Sequence, residues 1–222
     1  MKKNAQTALI HAPRRAPQYI QTVQPPLFRA STIIFENTDA LFNRHWTDAY
    51  DYSYGTHGTP TTFTLADQIA QLEGGEYCLL APSGLSAINL VNSCFLSQGD
   101  EVWVADNIYG PNMEHLRNLE QRYGITVQVY NPIDVDSFQP SAQAKLIWLE
   151  AAGSVTLEFP NLTALVKKAK SHHMLTALDN TWGAGLAFNA FDFGDEHLSV
   201  DISVHALTKY PSGGGDILMG SV

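Results

Sequence analysis

Lys209 and Asp179 carry the most chemistry in this sequence. Lys209 follows an apolar stretch, residues 202–208, and precedes Tyr210-Pro211-Ser212-Gly213-Gly214-Gly215. Asp179 closes a second apolar stretch, Leu175-Thr176-Ala177-Leu178. A charged amine at the end of a buried strand is costly, so burial there favours the neutral form. A neutral lysine can condense with an aldehyde. A carboxylate can hold a ring nitrogen protonated. Together they supply two of the things pyridoxal phosphate needs, a lysine for its aldehyde and an acid for its ring nitrogen. Each residue alone has a plainer reading. A lysine at a strand end can extend into solvent, and aspartate favours caps and turns.

The elements that would position this pair follow from periodicity. Leu65, Ile69 and Leu72 recur at helical spacing, and Gly74-Gly75 stops that helix. Strands are expected over 77–81, 101–105, 126–130, 145–149, 175–179, 202–208 and 216–222. Helices are expected over 85–96, 113–123 and 162–172. Alternating strands and helices argue for an α/β fold with a mostly parallel sheet and helices on both faces. Ligands bind such sheets outside the carboxyl ends of the strands. Ser83-Gly84, residues 106–109, residues 150–154, residues 179–182 and Thr208-Lys209 all follow predicted strands. Five polar strand ends on one rim point to one site. Residues 1–60, with Pro13, Pro17, Pro25, Pro26 and Pro60, read as an N-terminal arm, and 61–222 as the domain proper.

Other positions bear on the same rim. Ser83-Gly84-Leu85 opens a helix whose free N–H groups could cradle a phosphate, or is an ordinary turn. Tyr109 could stack on a flat ring, or pack as a turn aromatic. Tyr54-Gly55-Thr56-His57-Gly58 lies in the arm and could reach a phosphate, such as one in a neighbouring subunit, or be a surface turn. His172-His173 at a helix end complements the dipole better than it suits a metal, and no metal site is expected. No P-loop, H-E-x-x-H or Gly-x-Gly-x-x-Gly motif is present.

The composition narrows the partners. With 222 residues, 45% of them hydrophobic, one sizeable core can form. A net charge of −9 argues against nucleic acid or an anionic membrane as partner. Cys78 and Cys94 lie in apolar stretches without metal-ligand spacing and read as buried, reduced thiols of a cytoplasmic protein.

Six segments, in order, resemble the Cys/Met-metabolism, or trans-sulfuration, family of pyridoxal-phosphate enzymes. They are Tyr54-Gly55-Thr56-His57-Gly58-Thr59, Leu72-Glu73-Gly74-Gly75, Pro82-Ser83-Gly84, Leu149-Glu150-Ala151-Ala152-Gly153-Ser154, Leu178-Asp179-Asn180-Thr181-Trp182 and Ala206-Leu207-Thr208-Lys209-Tyr210. The resemblance implies the fold-type I, aspartate aminotransferase-like large domain. It implies that Lys209 carries the cofactor aldehyde as a Schiff base and moves the Cα proton. Asp179 would pair with the ring nitrogen and Tyr109 would stack on the ring. The backbone of Gly84 and Leu85 and the Thr208 hydroxyl would hold the phosphate. Tyr54 would reach the phosphate of a partner subunit, since family sites form between subunits of a dimer within a tetramer. The substrate implied is a small sulfur amino acid.

Three positions depart from the commoner family pattern. Thr56 stands where many members have arginine, removing a contact worth roughly 1.5–3 kcal/mol if unreplaced; His57 is expected to replace it in part. Ala206 and Ser154 resemble the branch that performs β-elimination more than the γ-synthase and γ-lyase branches. The resemblance also implies a remaining stretch of large domain and a smaller C-terminal domain carrying the arginine for the substrate carboxylate. Nothing in the sequence matches that part. The chain is therefore expected to be an incomplete large domain, either a lyase portion or an inert fragment of one.

Overall fold

The computed structural model describes residues 7, 10, 22–44, 52–194 and 198–222. Pro13 and Pro17 of the expected arm lie outside the described residues. The chain forms two units, residues 1–71 and 72–222.

In the first unit, α1 (Thr38–Phe42) is capped by Asn37, whose Oδ1 accepts from the N–H of Ala40 at 2.8 Å. The Tyr54 carbonyl accepts from the N–H groups of His57 and Gly58 at 2.9 and 3.2 Å, closing a turn. Gly55 donates its N–H to the Ser31 carbonyl at 2.6 Å. A Cβ on Gly55 would lie 1.8 Å from the Ala30 carbonyl oxygen, so this strand-like approach admits only glycine. Helix α2 (Pro60–Glu73) ends at Gly74, which takes the left-handed conformation at φ +83°.

The second unit is built on a sheet of five parallel strands in the order β3-β2-β4-β5-β6. The strands are β2 (Glu101–Ala105), β3 (Thr126–Tyr130), β4 (Ala144–Glu150), β5 (Leu175–Asp179) and β6 (Ile202–Val204). Helices α3 (Gly84–Phe95), α4 (Gly110–Tyr123) and α5 (Leu162–Ser171) connect and flank them. Strand β2 is buried at all five positions, and Leu146 to Leu149 of β4 are fully buried. Burial on both faces is what a continuous apolar run requires of a central parallel strand. A short antiparallel pair, β1 (Leu80–Ala81) with β7 (Gly220–Ser221), completes the unit. A bridge between His205 and Ser221 joins that pair to the chain leaving β6.

Three expected strands are shorter than the sequence suggests. The stretch 77–81 pairs only from Leu79, which exchanges backbone hydrogen bonds with Val222 at 2.8 and 2.9 Å, to Ala81, and Tyr77 is exposed. The stretch 216–222 pairs with it only from Gly220 to Val222. The stretch 202–208 ends as a strand at Val204. There the N–H of Ala206 leaves the ladder for the Thr181 hydroxyl, at 2.9 Å. Cys78 is buried as expected, but Cys94 is exposed.

A line of buried hydrogen bonds ties the core layers together. Tyr130 Oη donates to the Trp148 carbonyl at 3.0 Å, and Trp148 Nε1 donates to Asn92 Oδ1 at 2.7 Å. Asn92 Nδ2 donates to Asn112 Oδ1 at 3.0 Å. Asn92→Leu would leave the Trp148 N–H and the Asn112 oxygen buried without partners. Stability in a urea melt is expected to fall by about 2–5 kcal/mol.

Candidate active site

Register sets the carboxyl rim of the sheet. Glu150 pairs with Asp179, and Asp179 with Val204, so the ends of β4, β5 and β6 are level. The strand order reverses between β2 and β4, where sheets of this kind bind ligands. An open cavity of about 610 Å³ lies there, lined by Asp106, Asn107, Ile108, Gly110, Ser154 and Glu158. Asn107 Nδ2 donates to Thr156 Oγ1 and to Glu158 Oε2, each at 2.9 Å, which holds the 154–158 loop over the end of β2.

Asp179 is 8% exposed. Burial raises its carboxyl pKa, while hydrogen bonds from Thr181 and the charge of His205 pull the other way. The Thr181 N–H donates to Asp179 Oδ1 at 3.0 Å. No lysine or arginine pairs with Asp179 among the described residues. Thr181 also accepts the Ala206 N–H, and the Ala206 carbonyl accepts the Lys209 N–H at 2.9 Å. A continuous set of bonds therefore joins Asp179 to the lysine loop.

Lys209 itself departs from expectation. It is exposed and stands five residues past the end of β6, at the N-cap of a short 3-10 turn, Tyr210–Ser212. The desolvation that a buried strand end would supply is absent around it. Its carbonyl accepts from Ser212 Oγ at 3.0 Å, which anchors the loop without enclosing the amine.

Helix α3 brings its N-terminus to the same loop. Ser83 caps it by accepting the Ser86 N–H at 3.0 Å. The Gly84 and Leu85 N–H groups have no acceptor within the helix. A Cβ on Gly84 would lie 2.6 Å from the Ala206 Cβ, so only glycine lets this helix end sit beside the lysine loop. The Thr208 hydroxyl donates to the Met219 carbonyl at 3.2 Å and accepts the Met219 N–H at 3.1 Å. It is thus engaged with the backbone ahead of β7. Tyr109 is 39% exposed at the N-cap of α4. Ser154 is half-buried at the cavity wall. Tyr54 and His57 fall in the unit of residues 1–71; both are exposed, and the His57 ring stands edge-on to Phe63 at 5.7 Å.

Sequence reasoning passed over Glu150. Its Oε2 accepts the Tyr109 N–H at 2.8 Å, fixing the backbone that carries the ring. Burial and the neighbouring Asp179 push its pKa up to about 8, against the pull of the Tyr109 N–H. The only signal in the sequence was a carboxylate ending an apolar run. A carboxyl whose folded pKa is raised is favoured protonated, so its contribution to stability is lost as pH rises from about 4.5 to about 8. Glu150→Gln has no such loss. Its stability relative to the parent chain is expected to improve across that interval by on the order of a few kcal/mol, read from urea melts at each pH.

The arrangement fits one cofactor class. A buried carboxylate with no lysine or arginine partner among the described residues, an open helix N-terminus and a lysine loop meet at one rim. These suit the ring nitrogen, phosphate and aldehyde of pyridoxal phosphate. Residues 6–222 match the family of Cys/Met metabolism PLP-dependent enzymes. The chain belongs to that family, its fold is the fold-type I α/β architecture, and its cofactor is pyridoxal phosphate. It is 32% identical over 226 residues to the cystathionine beta-lyase MetC of Escherichia coli, covering 99% of this chain and 55% of that protein. It is also 32% identical over 227 residues to the L-alanine/L-glutamate racemase of Wolbachia pipientis, covering 98% of this chain and 55% of that one. The crystal structure of cystathionine gamma synthase from Xanthomonas oryzae in complex with aminoacrylate and cysteine superposes with a TM-score of 0.84 at 26% identity. That match covers 100% of this chain and 54% of the synthase chain. The chain spans about half the length of the relatives it matches. Among the described residues no helix is long and apolar enough to cross a membrane.

Proposed function

We propose that this chain is the cofactor-binding part of a carbon–sulfur lyase that eliminates a thiol from Cβ of cystathionine or a cysteine-type thioether. The observation that carries the reading is the buried carboxylate of Asp179, paired with no lysine or arginine among the described residues and bonded through Thr181 to the loop of Lys209. Likeness to a cystathionine beta-lyase along nearly the whole chain supports the sulfur substrate.

Bound pyridoxal phosphate supplies a sink for the electron pair left at the substrate's Cα. The protein's own groups do the rest. The N–H groups of Gly84 and Leu85 hold the phosphate, and Asp179 keeps the ring nitrogen protonated. Tyr109, steadied by Glu150, covers the ring. Lys209 Nζ would hold the cofactor until the substrate amine displaces it, and the freed amine would take the Cα proton as general base. The C–S bond breaks, the thiolate leaves, and hydrolysis yields pyruvate and ammonia. Tyr54 and His57 serve the phosphate of a second copy, in a dimer or tetramer with shared sites.

The racemase relative favours a second reading, in which Lys209 removes the same proton and a group on the opposite face returns one. The test is product analysis of the pyridoxal-phosphate-loaded chain. With L-cystathionine, pyruvate and homocysteine in equal amounts are expected. Cysteine with 2-oxobutyrate would assign γ-elimination instead, and D-alanine formed from L-alanine would assign racemisation.

A further inference from the structure

The loop that follows β4 is held in a costly shape, and its anchor comes from the end of β2. Val155 and Leu157 take left-handed backbone, at φ +66° and +58°. Neither is glycine, and Val155 is branched at Cβ, the kind of side chain that resists this region most. Val155 is 96% exposed and Leu157 61%, so burial of these side chains does not hold the loop. Three backbone bonds close it. Gly153 donates to the Glu158 carbonyl at 2.8 Å, Thr156 to the Ser154 carbonyl at 2.7 Å and Leu157 to the Gly153 carbonyl at 3.0 Å. Among the described residues, the one side chain outside the loop that hydrogen-bonds to it is that of Asn107.

The Asn107 amide is fitted to this place. A Cβ on Gly153 would lie 2.2 Å from Asn107 Nδ2, so the amide fills space that only glycine leaves. Its Nδ2 gives one hydrogen bond to the Thr156 hydroxyl and one to the Glu158 carboxylate. A carboxylate only accepts, which fixes the way the amide faces. Asn107 Oδ1 is then left buried with no partner among the described residues. An unpartnered buried oxygen is costly, and the two bonds to the loop are what offsets it. Strained backbone persists where its surroundings over-determine it, and this clamp does so.

The loop shapes a wall. Ser154, Thr156 and Glu158 line the cavity between the ends of β2 and β4. Thr156 Oγ1 and Glu158 Oε2 are engaged by Asn107. The Ser154 hydroxyl has no hydrogen-bond partner among the described residues, and it can both donate and accept. We propose that Asn107 is a positioning residue that clamps the 153–158 loop and so presents the Ser154 hydroxyl to the sulfur amino-acid substrate in the cavity. The part given to the substrate rests on the lyase reading above; the clamp does not.

Amide hydrogen exchange in the cofactor-free chain tests the clamp. Asn107→Ala is expected to speed exchange at Gly153, Thr156 and Leu157 about tenfold or more, with residues 102–104 of β2 unchanged. Gly153→Ala, which displaces the amide, should do the same. Asn107→Asp removes the donor and sets two carboxylates face to face. Adding Glu158→Gln returns a donor from the other side and should slow exchange again. In the chain loaded with pyridoxal phosphate, Asn107→Ala and Ser154→Ala should each raise KM for L-cystathionine about tenfold with kcat within about threefold. Because one acts through the other, the double variant should lose no more than either single one. Unchanged loop exchange or unchanged KM in Asn107→Ala, or losses that multiply in the double variant, overturns the proposal. Faster loop exchange in a chain that turns over no thioether would sustain the clamp and count against the lyase reading.

Discussion

Lys209→Ala is expected to abolish covalent attachment of pyridoxal phosphate. In the parent chain, borohydride should fix one equivalent on the peptide containing Lys209, read by mass spectrometry. The reason lies in placement rather than burial. Other lysines, such as Lys168 and Lys170, are spent on the Val135 carbonyl and on Asp201. Lys209 alone among the rim residues offers an amine, on a loop bonded to Thr181 and closed by Ser212. In Lys209→Ala only the scattered background of surface lysines should remain. Lys209→Arg should behave like the alanine variant, because a guanidinium stays protonated and cannot condense. Any elimination activity should fall by about 10²–10⁴, the usual worth of a positioned proton carrier. Unchanged labelling or turnover in Lys209→Ala would remove the residue from the mechanism.

Gly220→Ala is expected to cost about 2–4 kcal/mol of stability and to weaken cofactor binding at least tenfold. A Cβ there would lie 2.3 Å from the Ser83 carbonyl oxygen and 2.7 Å from the Gly84 nitrogen. Both are backbone atoms, so no side chain can rotate aside. Either β7 leaves β1, or the N-terminus of α3 moves and takes the Gly84 N–H with it. A urea melt reads the first consequence, and a pyridoxal phosphate titration reads the second. A variant with parental stability and affinity would show that β7 does not brace the helix end. Gly99, with open space where a Cβ would go but a φ of +89°, is the control for backbone strain alone.

The legibility of the fold varied with the setting of each strand. Residues 101–105 and 126–130 form strands with the expected limits. Their lengths are set by apolar runs bounded by charged or turn residues, which is local information. The stretches 77–81 and 216–222 are equally apolar, yet they pair with each other over only three residues. How far an edge strand extends depends on the partner beside it, which no local pattern encodes. The site divides in the same way. The places of Asp179 at a strand end and Gly84 at a helix start were legible because both follow from periodicity. Glu150, Thr181 and the clamp of Asn107 were not. Their meaning depends on which strand lies next to which.

Class and sheet type were determined by the sequence itself through the spacing of apolar runs, and the cofactor chemistry through six ordered segments that resemble the family. Only the tertiary structure decided that Glu150 stands level with Asp179, that Asn107 meets Glu158 across 51 positions of chain, and that Lys209 lies exposed past the strand. Periodicity is a property of neighbours along the chain. Register, charge pairing and burial are properties of neighbours in space, and the energies that select them appear only once the strands have packed.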